Sequence, residues 1–239
     1  MFRISSCHYI KTFARGLFKK GNPSDFITAV RFNQDKKLIF NYIVRTAIRQ
    51  TFSGQPDNIL KPIRDLIKAT DCDSFPLQLI IDKLKKEHVN KSISFENDSD
   101  FNVVTDLKYG KPVTYLVLAL LAEGRNPNNI YHQDHVFAQS LFNSRNIDKL
   151  NLSSEDKQKF EDKKNTLANI QLLQGNDNQS KSDKDFKTWL NERYADDVQR
   201  KAFFVSQHIP SDHSLEFADF IEFIEKREAL IIESIKKLL

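Results

Sequence analysis

Residues 131–142 read YHQDHVFAQSLF, with His132 and His135 on either side of Asp134, directly after the turn-rich GRNPNN of residues 124–129. Strand-forming residues flank the polar cluster, which predicts a short strand near here. On a strand, adjacent side chains point to opposite faces, so Asp134 and His135 would face different directions and His132 would share the face of Asp134. Two readings of the pair are open. One is a histidine and an aspartate hydrogen-bonded in a loop. The other is a hydrolytic site, because cutting a phosphodiester near neutral pH needs a base for the attacking water and a divalent cation for the charge on the phosphate.

Thirty-odd residues downstream, NIQLLQGNDNQSKSD (169–183) puts Asn169 at the start of a short apolar run and Asn178 in a polar stretch ahead of a helical pattern. An asparagine offers a neutral carbonyl oxygen, suited to a magnesium ion that already has one carboxylate and several waters. Asn169 is placed to hold the histidine loop by hydrogen bonding across a hairpin, and Asn178 to complete a metal site beside Asp134.

These segments together resemble the ββα-metal core of HNH, or His-Me finger, nucleases. More narrowly, DHVF, then KKNTLANIQLLQGNDNQSKSDKDF, then HIPSD and the final helical stretch are similar to the carboxy-terminal nuclease domain of GmrSD-type modification-dependent restriction proteins. The resemblance covers residues 129–239. It implies a metal-dependent DNA endonuclease of bacterial restriction or phage defence, with Mg²⁺ or Mn²⁺ as cofactor and DNA, including base-modified DNA, as partner. Carried onto this chain, it makes His135 the general base, Asp134 and Asn178 the metal ligands, and Asn169 the residue that orients the histidine. Lys181 falls where related sequences carry a basic residue, and reads either as a phosphate contact or as a plain surface lysine. His132 reads as a further ligand, a substrate contact or a loop-holding residue. Two departures stand out. Ala138 takes the place of a usual proline, and no GxxxxGK[ST] phosphate loop precedes the nuclease-like part. A nucleotide-hydrolysing partner subunit or a missing amino-terminal domain is therefore part of the expectation. The rival reading is a non-catalytic DNA- or protein-binding subunit that keeps the nuclease scaffold.

The rest of the 239 residues reads as mainly α, with a small β element around residues 129–173 and a boundary drawn between a helical region, 1–128, and the nuclease-like 129–239. Helical spacing runs from a cap at Ser24 or Asp25 through Phe26, Val30, Leu38, Tyr42 and Ala47. Two short amphipathic helices follow, NILKPIRDLIKAT and FPLQLIIDKLKKEH, each near a proline suited to a first turn. KPVTYLVLALLAEG is apolar on nearly all sides and reads as a buried helix ended by Gly124. GNDNQSKSD reads as a loop, residues 185–205 as one helix, and SLEFADFIEFIEKREALIIESIKKLL as a strongly periodic final helix.

Charge is uneven: residues 1–70 carry thirteen Lys or Arg against four Asp or Glu, and the remainder twenty-three against twenty-eight. The basic end is the natural resting place for a polyanion, and equally a set of solvated helix faces. Cys7 and Cys72 have no CxxC spacing, which speaks against a disulfide framework or a thiolate zinc site. With no apolar run near the roughly 20 residues of a membrane span and no signal-peptide pattern, the expectation is a cytoplasmic protein without a membrane partner. His8, His88, His208 and His213 lack a partner pattern and read as structural or surface residues.

Overall fold

The computed structural model describes residues 30–70, 74–122, 126 and 128–239. The expected caps Ser24 and Asp25, as well as Phe26, Gly124, Cys7, Cys72 and His8, lie outside the described residues. Contacts divide the chain after Asp100 into two units. This differs from the boundary drawn at 128/129, because residues 101–121 pack with the hairpin that follows them.

The first unit is helical. Helix α1 (Asn33–Ile48), α2 (Asp57–Ala69) and α3 (Leu77–Glu87) bury Ile39, Tyr42, Ile59, Leu60, Ile63, Ile80, Ile81 and Leu84 with Phe75 and Ile93. In α3 the buried Leu77, Ile80, Ile81 and Leu84 follow the i, i+3, i+4, i+7 spacing of a one-faced helix. Asp35 is buried in α1, where it accepts from the Ser74 hydroxyl (2.6 Å) and the Phe75 backbone N–H (2.7 Å), fixing the loop that leads into α3. Val30 does not join this core. It lies in a 3₁₀ turn ahead of α1 and is 79% exposed. Pro56 and Pro76 take the N-cap positions of α2 and α3, while Pro62 sits inside α2.

In the second unit the elements run α4 (Asn102–Thr105), α5 (Pro112–Leu121), β1 (Tyr131–His135), α6 (Ser144–Asp148), α7 (Ser154–Lys163), β2 (Ile170–Gln174), α8 (Gly175–Lys181), α9 (Phe186–Arg193), α10 (Asp197–Gln207) and α11 (Phe220–Leu238). The fold is thus mainly α, with one antiparallel two-stranded sheet in the register His135↔Ile170 to Tyr131↔Gln174. Helix α5 buries one face, Val113, Thr114, Val117, Leu118 and Leu121, and packs on β2 and α11; Tyr115 on its other side is exposed. The stretch read as one helix over 185–205 is two, because the Asp185 and Asp196 side chains each cap a helix, accepting from Thr188 N (3.0 Å) and Val198 N (2.9 Å). GNDNQSKSD is not a loop: its first seven residues are α8.

The core behind the hairpin is aromatic. Phe137, two residues after β1, meets Phe220 and Phe223 edge-on at 5.5 and 5.0 Å, and Phe142 and Phe160 reach Phe220 at 4.9 and 5.0 Å. Such edge contacts add about 0.5–1.5 kcal/mol each beyond area burial. They anchor the residues on both sides of the hairpin. Arg227 of α11 is fully buried, donating to Ala168 O (2.8 Å) and Gln207 O (2.9 Å), and its burial pushes the guanidinium pKa down to about 9. It stays charged at neutral pH and holds the backbone just before Asn169.

Candidate active site

The hairpin brings the two sequence segments together. Asn169, at the end of the 3₁₀ turn before β2, is fully buried. Its side-chain oxygen accepts from Phe137 N (2.9 Å), and its amide nitrogen donates to Phe137 O (3.2 Å) and Lys164 O (2.7 Å). Its backbone oxygen accepts from Val136 N at 2.7 Å. The backbone just after His135 is therefore clamped by one residue. Spacing has Asn169 hold this loop and the resemblance has it orient the histidine; its bonds reach the backbone after His135 and not the ring.

Asp134 and His135 close β1. Both line one polar cleft of about 490 Å³ with Tyr109, Gln133, Asn178, Gln179 and Ser182, yet their side chains have different partners, in keeping with alternation: Asp134 meets Gln171 and Lys181, and His135 meets Asn165 and Tyr109. Asp134 Oδ2 accepts from Gln171 Nε2 (2.9 Å), its cross-strand neighbour, and pairs with Lys181 Nζ (3.0 Å). Among the described residues its other oxygen has no hydrogen-bond partner.

His135 is mostly buried. Its Nε2 lies 2.9 Å from Asn165 Oδ1, and its ring centroid lies 4.4 Å from that of Tyr109. Burial holds the imidazole pKa below its usual range, against the Asn165 hydrogen bond and the Asp134 charge, which favour the cation. At neutral pH the ring is uncharged and has a lone pair to offer.

Asn178 lies inside α8 rather than in a turn ahead of a helix, and it is half-buried. Its side chain lines the cleft and makes no hydrogen bond among the described residues. Lys181 is neither a surface residue nor a phosphate contact. It is completely buried, donates to His135 O at 2.6 Å and neutralises Asp134. The end of a seven-residue helix aims it inward, where only carbonyl and carboxylate oxygens can satisfy an ammonium. His132 of β1 pairs with Leu173 of β2, is exposed, and is not among the residues lining the cleft.

The donors fit one kind of ion. Among the described residues no group of three or more His, Cys, Asp or Glu converges. One free carboxylate oxygen of Asp134 and the unpartnered Asn178 amide oxygen suit a hard cation that keeps most of its waters, as Mg²⁺ does.

Sequence reasoning missed Tyr109, Asn165 and Gln171. Gln171 left a trace, a polar residue inside a buried strand. Tyr109 and Asn165 left none, since each reaches His135 only through the folded chain. Of the other described histidines, His208 is held by Ser234 (2.9 Å) and His213 by Asp219 O (3.3 Å), while His88 is the C-cap residue of α3. Among the described residues no helix is long and apolar enough to cross a membrane. Compared with known proteins, the chain matches no family model and no curated sequence.

Proposed function

We propose that this chain is a metal-dependent DNA endonuclease of the HNH type, acting in restriction or phage defence. The observation that carries the reading is the cleft in which a carboxylate, an uncharged buried imidazole and an unpartnered amide meet, on a strand pair followed at once by a helix. Asp134 and Asn178 would hold a Mg²⁺ or Mn²⁺ ion, which when bound supplies positive charge to the phosphate and the departing oxygen. The remaining work falls to the chain itself. His135 takes a proton from the attacking water with its lone-pair nitrogen, which a low pKa keeps available at neutral pH. Asn169 keeps the residues after His135 in place, and Lys181 and Gln171 fix Asp134 through one oxygen, leaving the other for the ion. A site of this type grips the phosphate backbone, so a preference for modified DNA would come from elsewhere, such as a partner subunit or another domain.

A second reading, a DNA- or protein-binding subunit that keeps the scaffold without cutting, is favoured by one observation: Lys181 already neutralises Asp134. Purified protein with modified and unmodified plasmid, in Mg²⁺, Mn²⁺ or EDTA, separates the two. Cleavage that needs metal and is lost in His135→Ala supports the nuclease. Binding without cleavage in either metal supports the scaffold.

A further inference from the structure

We propose that Asn165 is a positioning residue for His135, setting which ring nitrogen holds the proton: its side-chain oxygen takes the Nε2–H and leaves Nδ1 as the lone-pair nitrogen. The backbone of His135 is already fixed, by Lys181 on its carbonyl and by Asn169 on the next N–H. What remains free is the ring. A neutral imidazole has one N–H and one lone pair, and a carbonyl oxygen can only accept. The 2.9 Å contact from Nε2 to Asn165 Oδ1 therefore places the proton on Nε2. Nδ1 has no hydrogen-bond partner among the described residues.

Asn165 also builds the other wall of the ring. Its backbone oxygen accepts from Tyr109 N (2.8 Å), and Tyr109 lies against the imidazole at 4.4 Å. The turn that presents Tyr109 is pinned by Gln133 of β1, which accepts from Gly110 N (2.9 Å) and donates to Lys111 O (3.1 Å). Gly110 takes φ +76°, which this turn requires and which side chains other than glycine seldom adopt. One residue thus holds the ring's edge through its side chain and its face through its backbone. A neutral amide does this without adding a second negative charge beside Asp134, so the lone pair stays on the ring.

The purpose of this arrangement rests on the nuclease reading, but its geometry does not. In the ¹⁵N-labelled full chain without added metal, two pH units above the ordinary imidazole pKa of roughly 6.5, long-range ¹H–¹⁵N correlations report the proton's place. His135→Gln identifies the signals. The wild type is expected to show a protonated Nε2 and a lone-pair Nδ1. Asn165→Ala is expected to shift the pair toward a mixture, and Asn165→Asp to keep the proton on Nε2. A proton on Nδ1 in the wild type overturns the proposal, and this result needs no variant to fold. So does an unchanged pattern in Asn165→Ala. With plasmid and Mg²⁺, Asn165→Ala should lower kcat about 10- to 100-fold at unchanged KM, and Asn165→Asp, whose added charge favours the imidazolium, should recover activity only as pH rises; a disturbed ring with undiminished kcat overturns the positioning role. If the wild type shows the expected proton but never cuts DNA, the nuclease reading fails while the assignment of Asn165 stands.

Discussion

The two units bury polar groups in different ways. The first has an aliphatic core of isoleucines and leucines with Tyr42 and Phe75, and its buried polar residues are scattered: Asp35, Thr46, Thr51 and Ser94. Besides Thr105, Thr114 and Thr166, the second buries His135, Asn169, Gln171, Lys181 and Arg227 behind an aromatic core, and these five larger groups all lie in or bond to the hairpin and the turn before it. Burying such groups costs several kcal/mol unless each finds a partner. A fold retains a cluster of them where it needs a side chain held in one place. The difference gathers the second unit's large buried polar groups around the end of β1, where the proposed site lies.

Truncating the most connected of these residues tests the contrast hardest. Asn169→Ala removes three side-chain hydrogen bonds and leaves Phe137 N, Phe137 O and Lys164 O unsatisfied. At about 1–1.5 kcal/mol each, the loss should reach about 3–4 kcal/mol in urea denaturation, comparable to the ~2–5 kcal/mol expected when a buried aliphatic such as Ile63 is cut to alanine. A loss below about 1 kcal/mol would mean that the clamp does not hold the histidine loop. Next is Lys181→Met, expected to cost about 3 kcal/mol because it strands the Asp134 carboxylate and the His135 carbonyl. Adding Asp134→Asn should recover part of that cost. If the double variant is less stable than the single, the ion pair is not what Lys181 contributes.

How much of this was legible depended on whether a side chain's role was local. The hairpin could be read because apolar residues bracket HQDH and fill IQLLQ, and because Asn169 stands at the strand's start. Helix α8 could not, since GNDNQSK has the composition of a loop. Its helical state comes from tertiary ties: Trp189 Nε1 donates to Ser180 Oγ (3.0 Å), Arg193 Nε to Asp177 Oδ1 (2.7 Å), and Lys181 reaches into the core. The same ties hide Lys181, which sits among SKSDK and differs in no way from an exposed lysine until the helix end is placed. The division at residues 194–196 was legible in principle, through Asp196 as a cap, but the apolar spacing ran across it. Asn165 and Tyr109 lie 30 and 26 residues from His135 and share no periodicity with it.

Acid should weaken the second unit through its histidines. Burial and the nearby Arg227 and Lys237 charges push the His208 pKa down to about 4, against roughly 6.5 when unfolded. Between these values the unfolded chain binds a proton that the folded chain refuses, so stability falls as pH drops from about 6.5 toward 4. The full shift would be worth about 3 kcal/mol; allowing for the partial exposure of His208, about 2 kcal/mol should be lost. The depressed pKa of His135 adds a loss of the same sign. His208 occupies the left-handed region at φ 55°, ψ 39°, which asparagine tolerates. His208→Asn should therefore keep the backbone and flatten the denaturation midpoint across this pH range. A profile as steep as the wild type's would remove His208 as the cause.

The smallest expected effect makes the contrast sharpest, because one chemical change should have opposite signs in the two units. Thr51 is fully buried and its hydroxyl has no hydrogen-bond partner among the described residues. Thr51→Val keeps the β-branched shape and removes a stranded polar group, so it should stabilise by about 1 kcal/mol. Thr166 is equally buried, but its hydroxyl donates to Lys163 O (2.9 Å) at the end of α7, just ahead of Asn169. Thr166→Val removes that hydrogen bond, leaving Lys163 O with the Thr166 backbone N–H alone (3.0 Å), and should cost about 0.5 kcal/mol. Paired urea melts decide it. Shifts of the same sign would mean that buried polarity is handled alike in both units, and that its gathering around the hairpin does not mark a functional site.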